Sequence, residues 1–214
     1  LSALSPSREI VHFVDSQSCP EFVVVEYNIP QTKVELGVKC ANITLDDKYP
    51  MQVLGAILGS GWTSRLYHGL IEERGLVYEF FMSFIFKGDT SYFAYWSGVK
   101  QERWLEAIKI ILNEFAVLRE KKVSSEELEL AKHKILEHER WPWEDSGHVA
   151  HYLVDQWADY DEVSFKDETD GIYAVTVEDI MRVAQKFFRD DKLNLAVMGP
   201  HSKEARKIRR ALHF

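Results

Sequence analysis

The run LGSGWTSRLY, from Leu58 to Tyr67, sets two glycines on a turn just ahead of Thr63, Ser64 and Arg65. These are residue types of a loop that cradles phosphate. A Walker-type loop, however, needs a Lys followed by Ser or Thr after its last glycine, so that an ammonium reaches the phosphates. Gly61 is followed by Trp62, Thr63 and Ser64. A dinucleotide loop needs a strand before it and a third glycine; here the preceding residues have helical periodicity and the third glycine is missing. Nucleotide binding fails on both requirements.

Histidines can ligate a metal only where their spacing brings them onto one face. Two imidazoles share a helix face when they are four residues apart. His133 and His138 are five apart and diverge by about 140° on a helix of 3.6 residues per turn. An inverted H-x-x-E-H motif would need His where Lys134 stands. His133 and Glu137 share a face, but two ligands do not complete a site. His148 and His151 lie one turn apart, with Glu144 and Asp155 in reach, and no third ligand is marked. Solvated histidines are the plainer reading of both pairs, so no metal is assigned to this chain. Nucleophiles are no better provided for, since there is no G-x-S-x-G elbow and neither Cys19 nor Cys40 has a histidine near it in sequence.

Composition narrows the classes further. The chain has 214 residues, 46% hydrophobic and 28% charged, with net charge −8. A chain of this length buries roughly 70% of its unfolded surface, which argues for an ordered globular domain. The acidic balance lacks the electrostatic footprint of a nucleic-acid binder. The basic end KEARKIRR, Lys203 to Arg210, reads as a solvated amphipathic helix or tail. Two cysteines do not make a disulfide framework, although one bridge stays open. No apolar run approaches the roughly 20 residues of a membrane span. The protein is expected to be soluble, cytoplasmic or periplasmic. A start at Leu1 rather than Met reads as a mature or excised piece.

The elements that position these residues follow from periodicity. Residues 1–20 read as a lead-in with an accessory strand. Two strands flank a turn at Asn28–Gln31, and in the second Val34, Leu36, Val38 and Cys40 alternate with polar residues or glycine. A helix from Asp46 to Leu58, started by Thr44 or Asp46, leads into the glycine turn. A shorter helix, Ser64 to Arg74 with Thr63 or Ser64 as cap, ends at Gly75. LVYEFFMSFIF and SYFAYWSGV around KGDT form a hairpin. Trp104, Ile108, Ile111, Phe115 and Leu118 make one helical stripe. Ser124 and Glu127 form a capping box for a helix reaching Arg140, where Pro142 interrupts it. Helices follow over Asp145 to Ala158 and from Thr176, then a strand LNLAVMG. This order predicts an α+β two-layer sandwich, an antiparallel-dominated mixed sheet with helices packed on one face. Residues 21–200 form one domain, and 201–214 a terminal helix or tail.

One stretch carries a family resemblance. VLGAILGSGWTSRLYHGLIEERGLVYEF, Val53 to Phe80, resembles the second, metal-free domain of the pitrilysin-type (inverted zincin) metallopeptidases, whose segment runs approximately LGGGMSSRLFxxLREKRGLAYSV. VSSEELELAKHKIL and VTVEDIMRVAQKFFRDDKLNLAVMGP are similar to two further motifs of that family, in the same order, so about residues 21 to 200 are covered. The family includes the mitochondrial processing peptidase and bacterial zinc proteases.

The resemblance implies a fold and a role. Such peptidases enclose a peptide between two similar halves, one of which carries H-x-x-E-H and zinc. The other half, the type seen here, binds no metal, clamps the substrate and is inactive alone. The implied partners are therefore a zinc-bearing half, on the same polypeptide or a separate subunit, and a peptide. In active members an Arg and a Tyr seven residues apart contact the substrate backbone. The Tyr falls on Tyr78. The Arg falls on Ile71, which cannot donate, and Arg74 is a neighbouring arginine off the clamp position. The alternative the resemblance leaves is a catalytically dead scaffold of the same fold.

Overall fold

The computed structural model describes residues 14–87, 91–140, 145–160 and 165–214, with backbone alone at 138–140, 148, 155–160 and 165–167. The strands are β1 (Glu21–Glu26), β2 (Gln31–Lys39), β3 (Val77–Ile85), β4 (Tyr92–Lys100) and β5 (Leu193–Gly199). The helices are α1 (Leu45–Gly59), α2 (Trp104–Glu120), α3 (Ser125–Arg140), α4 (Ser146–Tyr160), α5 (Phe165–Ala174), α6 (Val177–Phe187) and α7 (Ala205–Ala211). One mixed sheet runs in the order β1-β5-β2-β4-β3. Only the β1–β5 pairing is parallel. This is the predicted α+β architecture.

Strand order in the sheet departs from strand order in the chain. The strands flanking the Asn28–Gln31 turn do not pair with each other, because β5 lies between them. Tyr27 donates to Gly199 O at the end of the β1–β5 ladder. Period-two alternation reports which face a residue occupies, not which strand lies beside it. The hairpin of β3 and β4 forms as predicted.

The core lies between the sheet and the helices. Val34, Leu36 and Val38 of β2 are buried together with Phe93, Tyr95 and Val99 of β4 and Leu193, Leu195 and Val197 of β5. From the helical layer come the predicted α2 stripe and Ile180, Val183, Ala184 and Phe187 of α6. Phe115 stacks on Phe188 with ring centroids 4.3 Å apart and contacts Phe93 at 5.9 Å. Helix α5, which the sequence pattern did not reveal, adds the buried Ile172. Helix α7 buries Ile208, while Arg209 sits 5.6 Å from the Phe22 ring centroid.

Caps and charges anchor the helices. Thr44 donates through N–H and hydroxyl to Asp47 Oδ2, at 3.0 and 2.9 Å. Asp47 also receives Arg182 at 2.5 Å and Lys186 at 2.6 Å, tying α1 to α6. Pro50, inside α1, has no N–H for the carbonyl four residues back, and that carbonyl, Asp46 O, accepts from Arg182 at 3.1 Å. Thr176 and Asp179 cap α6 as predicted. At α3 the box is only half formed. Ser124 accepts from Glu127 N at 3.1 Å, but the Glu127 carboxylate turns to Arg65 rather than back to its own helix. A bidentate ion pair outweighs a single bond to a backbone N–H.

Candidate functional site

The glycine turn joins the end of α1 to the edge of the sheet. A Cβ on Gly59 would lie 2.1 Å from Met82 Cγ of β3, so the bare backbone is what permits this approach. Gly61 adopts φ +69°, a left-handed conformation suited to glycine. The lysine missing from the turn in sequence arrives from α3: Lys134 donates to Ser60 O at 2.6 Å and to Thr63 Oγ1. It holds the end of α1 and the turn together, with its ammonium already engaged. Ser64 does not accept a helix N–H; its hydroxyl donates back to Gly61 O at 2.8 Å.

After the turn the chain forms a π-helical segment, Tyr67–Glu72, instead of continuing as an α-helix. Glu73 N bonds His68 O at 3.0 Å, five residues back, and Leu76 N reaches Leu70 O at 2.8 Å. Arg65, at its start, grips Glu127 of α3 with two bonds of 2.7 and 2.9 Å. Gly75 then supplies the predicted left-handed stop, at φ +55°. The wider π turn adds a residue to the ring and alters the angular position of everything after it.

The three residues named from sequence are distributed as follows. Ile71 is half-buried and packs against the hydrophobic core. Arg74 folds back over its own helix end, donating to Gly69 O at 2.9 Å and pairing with Glu73. It lines a cleft between the π turn and α2, beside His68, Glu106 and Lys109. Tyr78 is 84% exposed. In the β3–β4 ladder Val77 pairs with Val99 and Phe80 with Ser97, so Tyr78 and Glu79 together oppose Gly98. That bulge aims Tyr78 toward the sheet face that the described helices leave uncovered. Arg74 and Tyr78 therefore serve different surfaces.

The same open face holds residues the sequence reading passed over. Phe81 and Trp96 are direct cross-strand partners with ring centroids 5.7 Å apart. Lys33 Nζ sits 5.2 Å from the Trp96 ring centroid. Their sequence signal was hidden because LVYEFFMSFIF is apolar at nearly every position. A groove of about 520 Å³ continues across this face, floored by Gly37, Ala94 and Ala196.

The remaining candidates are inert or outlying. Both cysteines are free, with Cys19 exposed and Cys40 buried. Burial, with the nearby Asp47 charge, pushes the Cys40 thiol up to about 12, which keeps it protonated. His133, Glu137 and His151 are exposed. The side chains of His138, His148 and Asp155, and Glu144 and Pro142, lie outside the described residues. Among the described residues no group of three His, Cys, Asp or Glu side chains could hold a metal ion. No helix among them is long and apolar enough to cross a membrane.

Comparisons with known proteins agree with this architecture. A family model described as the peptidase M16 inactive domain matches residues 3–135. An uncharacterized zinc protease of Mycobacterium tuberculosis is 24% identical over 183 residues, covering 85% of this chain and 42% of the relative. The probable inactive metalloprotease YmfF of Bacillus subtilis is 25% identical over 179 residues, covering 82% of this chain and 41% of the relative. The chain thus spans about two-fifths of the length of these curated relatives. A crystal structure of a protease from Helicobacter pylori shares the fold, with TM-score 0.77 and 22% identity over 86% of this chain and 45% of that one. With the family model matching well over half of its residues, this chain belongs to the peptidase M16 inactive domain family.

Proposed function

We propose that this chain is the metal-free half of a zinc-dependent metalloendopeptidase, closing a chamber around a peptide opposite a zinc-bearing H-x-x-E-H half. Membership of the inactive-domain family is the observation that carries this reading. In this reading the metal and its hydrolytic chemistry are supplied by the other half. The chain purified from a zinc-supplemented medium is expected to hold less than stoichiometric zinc by elemental analysis. A tight equivalent of zinc would overturn that assignment.

Tyr78 is this half's contact to the peptide. Its hydroxyl stands free on the bulge of an edge strand, where a phenol can donate to a peptide carbonyl or to a developing oxyanion. Arg74 is a secondary candidate, since its guanidinium is already engaged by Gly69 and Glu73. With the zinc-bearing half present, Tyr78→Phe is expected to lower kcat/KM on an unstructured peptide about tenfold, or about 1.4 kcal/mol. An unchanged rate favours the second reading, a scaffold without a part in catalysis. One observation supports that alternative: Ile71, at the family's clamp-arginine position, is packed against the core.

A further inference from the structure

The open face of the sheet carries more than Tyr78. Phe81 is 57% exposed and Trp96 37% exposed, although both are large rings on regular strands. Each is held by its neighbours: the two rings contact each other, and Lys33 lies over the indole. Gly98 matters to this arrangement. A Cβ there would come within 2.8 Å of Lys33 Nζ and 2.6 Å of Gln31 Oε1, so any side chain would displace the lysine from its seat beside Trp96. The bulge opposite Gly98 brings Tyr78 to the same face as Phe81, three residues along the same strand. Beyond Trp96 the floor drops to Gly37, Ala94 and Ala196, and at Gly37 a Cβ would lie 2.6 Å from Phe93 O. The result is an aromatic shelf on the face that also carries a shallow groove, whose lining includes Glu35, the cross-strand partner of Trp96, and Ala94.

We propose that Phe81 and Trp96 form a side-chain subsite that selects peptides carrying a bulky apolar or aromatic residue, with Tyr78 contacting the backbone of the same peptide. The inference rests on the peptidase reading above and adds a specificity to it. An extended peptide suits the groove better than a large protein surface does, for a reason of composition. Lys33, Glu35 and Lys39 of β2 run along the middle of this face, and Glu35 and Lys39 line the groove itself. The buried centre of a protein–protein interface is depleted of charged residues, whereas a narrow wet groove tolerates them beside an apolar anchor. Stacked aromatic rings add specific attraction for an aromatic side chain beyond its area.

The test uses the protein together with its zinc-bearing half. A series of unstructured alanine–serine peptides, with a single Phe walked along the chain, locates the position at which Phe is preferred over Ala. The wild type is expected to show a preference of about tenfold in kcat/KM at one such position, or about 1.4 kcal/mol. Trp96→Ala and Phe81→Ala are expected to reduce that ratio to about twofold or less, while Trp96→Phe retains most of it. Unchanged circular dichroism melts of the variants separate this loss from misfolding. A Phe preference that survives both alanine changes overturns the proposal. So does loss of co-elution with the zinc-bearing half in either alanine variant, which would make the shelf an assembly surface. Failure of Tyr78→Phe with a surviving shelf effect removes the Tyr78 role alone, so the two readings fail separately.

Discussion

Asp47→Ala is expected to destabilise the protein by about 2–3 kcal/mol, the cost of losing charge-assisted hydrogen bonds and a helix cap at a buried carboxylate. Asp47 is 1% exposed, and its carboxylate takes Arg182, Lys186 and both donors of Thr44. Removing it leaves two cations without their shared anion, strips the cap from α1 and unties α1 from α6. The pH dependence follows from the same contacts. Burial alone would raise the Asp47 carboxyl, but Lys186, Arg182 and Thr44 overcome it and hold the group at about 2. The unfolded chain takes up this proton near pH 4, before the folded one does. The stabilisation is therefore whole above about pH 4 and is lost as pH falls through about 2. Urea midpoints measured across that window should fall less steeply in Asp47→Ala than in wild type. Equal slopes, or an unfolding free energy at neutral pH lowered by less than about 1 kcal/mol, would sink this account.

Phe115→Ala is expected to cost about 3–5 kcal/mol, because it opens a cavity where the helical layer meets the sheet. Phe115 is fully buried, stacked on Phe188, against Phe93 of β4, and 6.2 Å from the Phe214 ring. For a chain of this length that corresponds to a drop in Tm of about 6–20 °C. Phe115→Leu, which keeps most of the volume, should lose less than about 1.5 kcal/mol. A thermal melt separates the two, and near-equal melting of Phe115→Ala and wild type would contradict the packing described. Phe93 also anchors the strand that presents Trp96 on the opposite face. The alanine change should therefore disturb the proposed subsite even where the domain stays folded.

Much of this architecture was legible in the residues. Alternation in β2 marked Val34, Leu36 and Val38 as core, and three- and four-residue spacing marked the α2 stripe. Thr176 with Asp179 and Gly75 marked a start and a stop through local backbone chemistry alone. Failures came where a local pattern met a distant partner. Glu127 looked like the back half of a capping box, yet Arg65, far away in sequence, took its carboxylate. The glycine turn lacked a lysine in sequence and received Lys134 from α3. Nothing local warned that a π turn would interrupt the helix before Gly75.

The sequence by itself carried the fold class and the family resemblance, and it marked Tyr78 and Arg74 as candidate contacts and Ile71 as a departure at the clamp position, because periodicity, caps and a contiguous motif are written within a few residues of each other. The tertiary structure alone decided which strands are neighbours and which side of the sheet is open. It also decided that Arg74 turns into the cleft beside α2 while Tyr78 stands exposed on the bulge of β3. Strand β5 enters the sheet from the far end of the chain, and β3 is apolar on both faces, so its inward and outward residues separate only once the helices cover one side. The Phe81–Trp96 pair, made by strand register and a bulge, is invisible until that happens.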